Sequence, residues 1–217
     1  MFRRVLLAAS LLAMCPLVAL AADQTVLGKQ LLVKDPSTPD KRKIIVKAAE
    51  SATDNTLVGD PTVDGATLSI ALYGTNESSQ LFTLPQGTDA KGKPFWKGDA
   101  TKGYKYKDSA GANGPVKGVQ LKIKNGVFQM KAILSAKAAP LALAPPNDGT
   151  DACAQLSIGG GGDSYSVRFA DGDMKNKDGK LFSVKDPTTQ ASCIQCGNGF
   201  IEGAEQCDRP GTSCGGS

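Results

Sequence analysis

Two residues, Asn125 and Gly126, separate two runs in which apolar and polar side chains alternate, Val116–Lys124 before them and Val127–Leu134 after them. Alternation with a period of two marks a half-buried strand, and Asn-Gly readily takes the two positive φ angles of a type I′ hairpin turn. A two-residue turn leaves no freedom in register. It sets Lys124 opposite Val127, Ile123 opposite Phe128, Leu121 opposite Met130 and Val119 opposite Ala132. The apolar partners then share one face, while Lys122, Lys124, Gln129 and Lys131 share the other. A slip by one residue would turn lysines into the core, so hydrophobic pattern and turn chemistry enforce the same pairing.

Similar short runs, punctuated by Gly, Pro, Asn and Asp, recur along the chain, and no segment offers a long amphipathic helix. Further strands are expected at Leu31–Lys34, Lys43–Ala48, Ala66–Tyr73, Gln80–Leu84, Tyr104–Lys107, Ala152–Ile158, Ser164–Phe169 and Lys180–Val184. About ten strands over about 160 residues predict an all-β, β-sandwich-like domain, with a β-barrel as the alternative. Two distant stretches, Gly28–Pro36 and Gly179–Pro187, agree at six of nine positions, and both end in Lys-Asp-Pro, where proline halts a ladder. They read as duplicated strands framing the domain, or as one turn device used twice; nothing between them repeats.

The chain of 217 residues contains no histidine. That removes imidazole general bases, Ser-His-Asp and Cys-His nucleophile pairs, and histidine metal ligands. No G-x-S-x-G elbow occurs, and Gly159-Gly160-Gly161-Gly162 lacks the lysine and strand-to-helix setting of a phosphate loop. No cofactor is implied. A carboxylate-dependent hydrolase stays open as chemistry, because any two strands can bring two acids together.

The first residues carry an address. Met1-Phe2-Arg3-Arg4 is basic, Val5 to Leu20 is apolar apart from Ser10, and Ala19-Leu20-Ala21 matches an A-x-A cleavage site ahead of Ala22. This is the layout of a secretory signal peptide over residues 1–21, with no transmembrane span expected after its removal. The chain has 25 Lys+Arg and 21 Asp+Glu; losing Arg3 and Arg4 leaves 23 against 21, a net charge of +2. Such a balance gives no argument for a nucleic-acid partner. The all-β domain is expected over 22–190 and a cysteine-rich tail over 191–217.

Lysines recur at outward strand positions: Lys43, Lys47, Lys105, Lys107, Lys122, Lys124 and Lys131. They read as a basic sheet face for an acidic envelope polysaccharide, a lipid headgroup or another surface module. The plainer reading is ordinary outward charge that guards against edge-to-edge aggregation. Trp96, Tyr104 and Tyr106 would add a stacking platform for sugar, or else anchor the core. Asp171, Asp173 and Asp178 lie in glycine-containing turns and are candidates for calcium, although Lys175 and Asn176 break the EF-hand pattern and aspartate is common turn chemistry.

Beyond the leader stand Cys153, Cys193, Cys196, Cys207 and Cys214. In an exported chain these are expected to form disulfides, holding a tail that has no hydrophobic patterning of its own. Zinc on the C-x2-C-x10-C-x6-C spacing is the alternative. The run Cys196-Gly197-Asn198-Gly199-Phe200-Ile201-Glu202-Gly203-Ala204-Glu205-Gln206-Cys207-Asp208 resembles the myxobacterial cysteine-rich (disulfide) repeat, with Ala204 in place of a glycine. The resemblance implies a cell-surface or secreted bacterial protein and no activity. On that frame Cys196 pairs with Cys207 and Cys153 with Cys193, and a truncated repeat leaves Cys214 without its partner. Val33-Lys34-Asp35-Pro36, Gly59-Asp60-Pro61-Thr62, Tyr104-Lys105-Tyr106-Lys107-Asp108 and Gly114-Pro115-Val116-Lys117 are similar to phrases in uncharacterised secreted β-rich proteins of deltaproteobacteria. The function expected is that of a non-catalytic exported structural or interaction module, with polymer binding on a lysine and aromatic face as the alternative.

Overall fold

A computed structural model describes residues 21–193 apart from 37, 138 and 147, so most of the expected signal peptide and the cysteines from Cys196 onward lie outside the described residues. In chain order the strands are β1 (Asp23–Thr25), β2 (Gly28–Lys34), β3 (Lys43–Ser51), β4 (Ala66–Tyr73), β5 (Ser78–Leu84), β6 (Trp96–Asp99) and β7 (Gly103–Lys107). They continue with β8 (Val116–Lys124), β9 (Val127–Ser135), β10 (Asp151–Ile158), β11 (Ser164–Arg168), β12 (Asp173–Lys177) and β13 (Leu181–Lys185). One sheet of five strands runs β1-β11-β10-β4-β5, and one of eight runs β12-β13-β2-β3-β9-β8-β7-β6. Neither sheet closes on itself, so the arrangement is a sandwich and not a barrel.

The Asn-Gly turn forms as expected, with Asn125 at φ 53° and Gly126 at φ 72°. The register it imposes on β8 and β9 is the one read from the sequence, from Lys124 opposite Val127 through Val119 opposite Ala132. Every expected strand is present. Three more are added: β1, β6 and β12. Their lengths are three, four and five residues, and β12 (DMKNK) has no apolar alternation to betray it. It is an edge strand, where exposed lysines discourage pairing with another chain.

The core lies between the sheets. Leu31, Val33, Ile44, Val46, Phe128, Met130, Leu121 and Val184 come from one layer and Leu68, Ile70, Leu72, Leu156, Tyr165 and Val167 from the other, all essentially removed from water. Phe128 and Tyr165 meet across the interface with ring centroids 5.0 Å apart. The Tyr165 hydroxyl donates to the Thr56 carbonyl at 2.9 Å, which pins that ring.

The two look-alike segments turn out to be neighbours. β13 pairs antiparallel with β2, Leu181 opposite Lys34 and Lys185 opposite Gln30, centred on Leu32 opposite Ser183. In the nine-residue alignment Leu32 corresponds to Ser183, so a local two-fold axis relates the copies. Their ends obey it too: Asp35 N donates to Lys180 O at 2.9 Å and Asp186 N to Lys29 O at 3.1 Å.

After β13 the chain crosses to the outer side of the five-stranded sheet. There Cys193 is bonded to Cys153 of β10, the Cα atoms 5.5 Å apart. Both cysteines are buried, in a small cluster with Ala71 and Tyr73 of β4.

Candidate functional site

The register of the eight-stranded sheet lines up its outward side chains. Lys185, Gln30, Lys47, Lys131, Gln120, Lys105 and Lys97 lie directly opposite one another on seven successive strands, from β13 to β6. At about 4.8 Å per strand the row spans roughly 29 Å. Its five lysines are exposed, and its two glutamines half-buried. A second row carries Lys175, Ser183, Leu32, Ile45, Ile133, Gly118 and Lys107, and a third Lys177, Leu181, Lys34, Lys43 and Ser135. The half-buried Leu32, Ile45 and Ile133 form an apolar floor between the rows of lysine.

Like charges face each other at three cross-strand pairs: Lys34 with Lys43, Lys47 with Lys131, and Lys97 with Lys105. Directly opposed Cβ atoms lie about 5 Å apart, and like charges there are destabilising. No ion pair among the described residues compensates them. Among the described residues the ion pairs are Arg42 with Asp35 and Arg168 with Asp151, and none of these lysines takes part. Lys47 does find a neutral partner, its Nζ donating to Gln30 Oε1 at 2.8 Å. The outward side of the other sheet differs: Thr67, Ser69, Ser79, Leu81, Thr83, Gln155, Ser157, Ser164 and Ser166 are uncharged, and its charged strand positions are Asp23 and the ion-paired Asp151 and Arg168. The lysine rows thus belong to one layer: no lysine lies on a strand of the five-stranded sheet.

Two shallow hollows, of about 180 and 220 Å3, indent this face. The first opens where Gly118 puts no side chain between Ile133 and Lys107, with Lys105, Gln120 and Lys131 around it. The second lies beside a break in the β2–β3 register, over Ala48 and Ala49, edged by Lys29, Lys47 and Lys131. Lys131 and Gln120 border both.

Of the lysines picked from the sequence, Lys105, Lys107, Lys122, Lys124 and Lys131 all lie on this face, Lys122 half-buried at the β8–β7 crossing and Lys124 beside the hairpin turn. Lys97, Lys175 and Lys185 join them from strands whose extent the sequence pattern left out or cut short. The aromatic half of the expected platform does not join them. Tyr104 and Tyr106 alternate with Lys105 and Lys107 along β7, so they point to the opposite side and are buried, as is Trp96. Trp96 Nε1 donates to Leu84 O at 3.0 Å, and its ring lies 5.2 Å from that of Tyr106. Burial pushes the Tyr106 hydroxyl up to about 12 and raises those of Tyr104 and Tyr165 as well. Every Phe, Tyr and Trp among the described residues is buried, so the face offers charge and aliphatic surface but no stacking ring.

The calcium candidates are not brought together either, and among the described residues no three Asp, Glu or Cys side chains are placed to hold a metal ion. Asp173 stands on β12 opposite Lys185, and Asp178 in the turn before β13. Asp171 caps the strap after β13, accepting from the Thr188 hydroxyl and from the N–H groups of Thr188 and Thr189 at 3.0 and 3.1 Å. Those bonds, that of the Thr188 side chain foremost, hold its carboxyl below the ordinary 3.8. A lowered native-state pKa stabilises above the ordinary value and is lost as pH falls through the lowered one. Thr188 and Thr189 amides should therefore keep their hydrogen-exchange protection at pH 5 and lose it at a pH well below the ordinary 3.8, with calcium making no difference. Equal protection at both pH values, corrected for intrinsic rates, would contradict the cap.

The buried acids each have local work. Asp108 Oδ1 and Oδ2 accept from the N–H groups of Gly111, Ala112 and Asn113 at 2.8 to 3.0 Å, closing the loop before β8. Burial raises the Asp151 carboxyl, opposed by Arg168, whose Nε and Nη2 donate to Oδ2 at 2.9 and 2.5 Å. Asp163 binds segments distant from it in sequence, around residues 22, 56 and 58. Comparison with protein-family models, with curated proteins and with solved structures finds no match to this chain.

Proposed function

We propose that this chain is a non-catalytic exported module whose lysine face holds an extended anionic polymer of the cell envelope, an acidic polysaccharide being the best fit. The row Lys185–Gln30–Lys47–Lys131–Gln120–Lys105–Lys97 carries the reading. A flat line of point charges suits a ligand that presents repeated carboxylate or sulfate groups, and the aliphatic floor of Leu32, Ile45 and Ile133 suits the C–H faces of sugar rings. With no exposed aromatic ring among the described residues, the face lacks a platform for splayed bases, which speaks against single-stranded nucleic acid. The unopposed Lys–Lys pairs give a thermodynamic reason for a polyanion: its charges relieve repulsion that the free protein carries.

The test is retention on polygalacturonate against neutral dextran, as a function of salt, for the wild-type chain and for the triple variant Lys47→Gln, Lys105→Gln, Lys131→Gln. If each exposed charge contributes somewhat under 1 kcal/mol, the variant binds about 30-fold more weakly. Its melting temperature in low salt stays level or rises, because two like-charge contacts are gone. Equal retention of both polymers, or unchanged binding by the variant, would sink the proposal.

A further inference from the structure

Asp163 follows the glycine turn between β10 and β11 and is wholly buried. Its Oδ2 accepts from Val58 N and Thr56 Oγ1, both at 2.7 Å, and lies 3.4 Å from the Tyr165 hydroxyl. Its Oδ1 accepts from the backbone nitrogen of Ala22 at 2.9 Å. No cation among the described residues forms an ion pair with it. A buried carboxylate with no counter-charge is costly, even when hydrogen-bonded.

Ala22 is also the residue that the Ala19-Leu20-Ala21 motif marks as the start of a processed chain. Ala21 and Ala22 are both exposed, so the bond between them is open to a protease. We infer that hydrolysis of the Ala21–Ala22 peptide bond creates the missing counter-charge: the new α-ammonium of Ala22 pairs with Asp163. Water supplies the balance. Its oxygen completes the carboxylate that leaves on Ala21, and its two protons, one of them passed through solvent from the new carboxyl group, turn the Ala22 nitrogen into an ammonium, the form an α-amine takes at neutral pH. The peptidase is one of the export machinery.

The rest of the geometry fits a latch. Ala22 O accepts from Ser164 N at 3.0 Å, so Ala22 is gripped on both sides of its Cα by consecutive residues of one segment. β1 follows at once and lies parallel to β11, with Asp23 opposite Ser164 and Thr25 opposite Ser166. A three-residue edge strand has little hold of its own. Processing would fix it in place by charge and, through Thr56 and Val58, tie it to the loop ahead of β4. The inference rests on the export reading but not on polymer binding.

The experiment compares a chain beginning at Ala22, released from a fusion by a protease that leaves no extra residue, with one that keeps Leu20-Ala21 ahead of Ala22. Each is made with Asp163 and with Asp163→Asn. The free Ala22 start should raise the melting temperature by about 5 °C with Asp163 and by under about 1 °C with asparagine. Acylation of the Ala22 amine should be about tenfold slower with Asp163 than with asparagine. Should Asp163→Asn not fold, a chain with Nα-acetylated Ala22 replaces it: it keeps the N–H donor without the charge, and should melt like the extended chain. Equal melting of the free, extended and acetylated chains overturns the ion pair. N-terminal sequencing of the protein exported with its own leader should start at Ala22. Any other start overturns the maturation step, and the ion pair then stands or falls with the melting of the recombinant chains.

Discussion

Replacing Cys193 by serine, or reducing its bond to Cys153, should lower the unfolding free energy by about 4 kcal/mol. The bond closes a loop of 40 residues, and in the chain-entropy account a loop of that length restricts the unfolded ensemble by about that much. The native state loses something as well. Both cysteines are buried against Ala71 and Tyr73, and Pro187 is the other buried residue of the strap between β13 and Cys193. Gln190 donates to Thr25 and Glu50 at 2.9 to 3.2 Å, and Asp171 caps Thr188, but all these contacts are exposed. Urea unfolding of the oxidised chain, the reduced chain and Cys193→Ser gives the measurement. The two altered forms should agree closely. A loss below about 1 kcal/mol would mean that the strap is held by its hydrogen bonds and that the disulfide is incidental.

Phe128→Ala is the second large effect, about 4 kcal/mol. Phe128 is fully buried on β9 and reaches across the sandwich to Tyr165 on β11. Truncating it removes aromatic contact area and leaves a cavity between the layers. The cost depends on whether the surroundings can collapse into that space. Here they cannot easily do so, because the Tyr165 ring is tethered through its hydroxyl to Thr56 O and the β8–β9 register is fixed by the turn next to Phe128. Phe128→Leu should cost about 1.5 kcal/mol, as it keeps most of the volume. Equilibrium denaturation of the three chains decides it; a similar, small loss for both substitutions would show that the interface repacks.

What was legible in the sequence was whatever depends on neighbouring residues. The hairpin register follows from Asn125, Gly126 and two alternating runs, and the structure reproduces it pair by pair. The separation of Tyr104 and Tyr106 from Lys105 and Lys107 follows from the same period of two, so the burial of those rings was implicit in the alternation. The lysine row was only half visible. Lys47 meets Lys131 because β3 pairs with β9, and Lys185 enters because β13 pairs with β2. No local pattern declares which strands become neighbours. Lys97 sits on a four-residue strand containing a glycine, too short for periodicity to register. Asp163 is the extreme case: its partners come from residues 22, 56 and 58, and in sequence it is one more aspartate after a run of glycines.

The pairing of β2 with β13 also bears on the order of events. It joins residue 30 to residue 185, so the loop it closes takes in nearly the whole domain, and contacts of such separation form late and slowly. A chain emerging amino end first leaves β2 as an open margin until residues 181–185 arrive. During that interval its unpaired N–H and C=O groups are a template for any other strand nearby. The segment best matched to that margin is a near copy of β2 itself, so two unfinished chains present each other with a passable substitute for the missing strand. Crowding during synthesis, more than weakness of the finished sandwich, is therefore where this fold is exposed to misassembly.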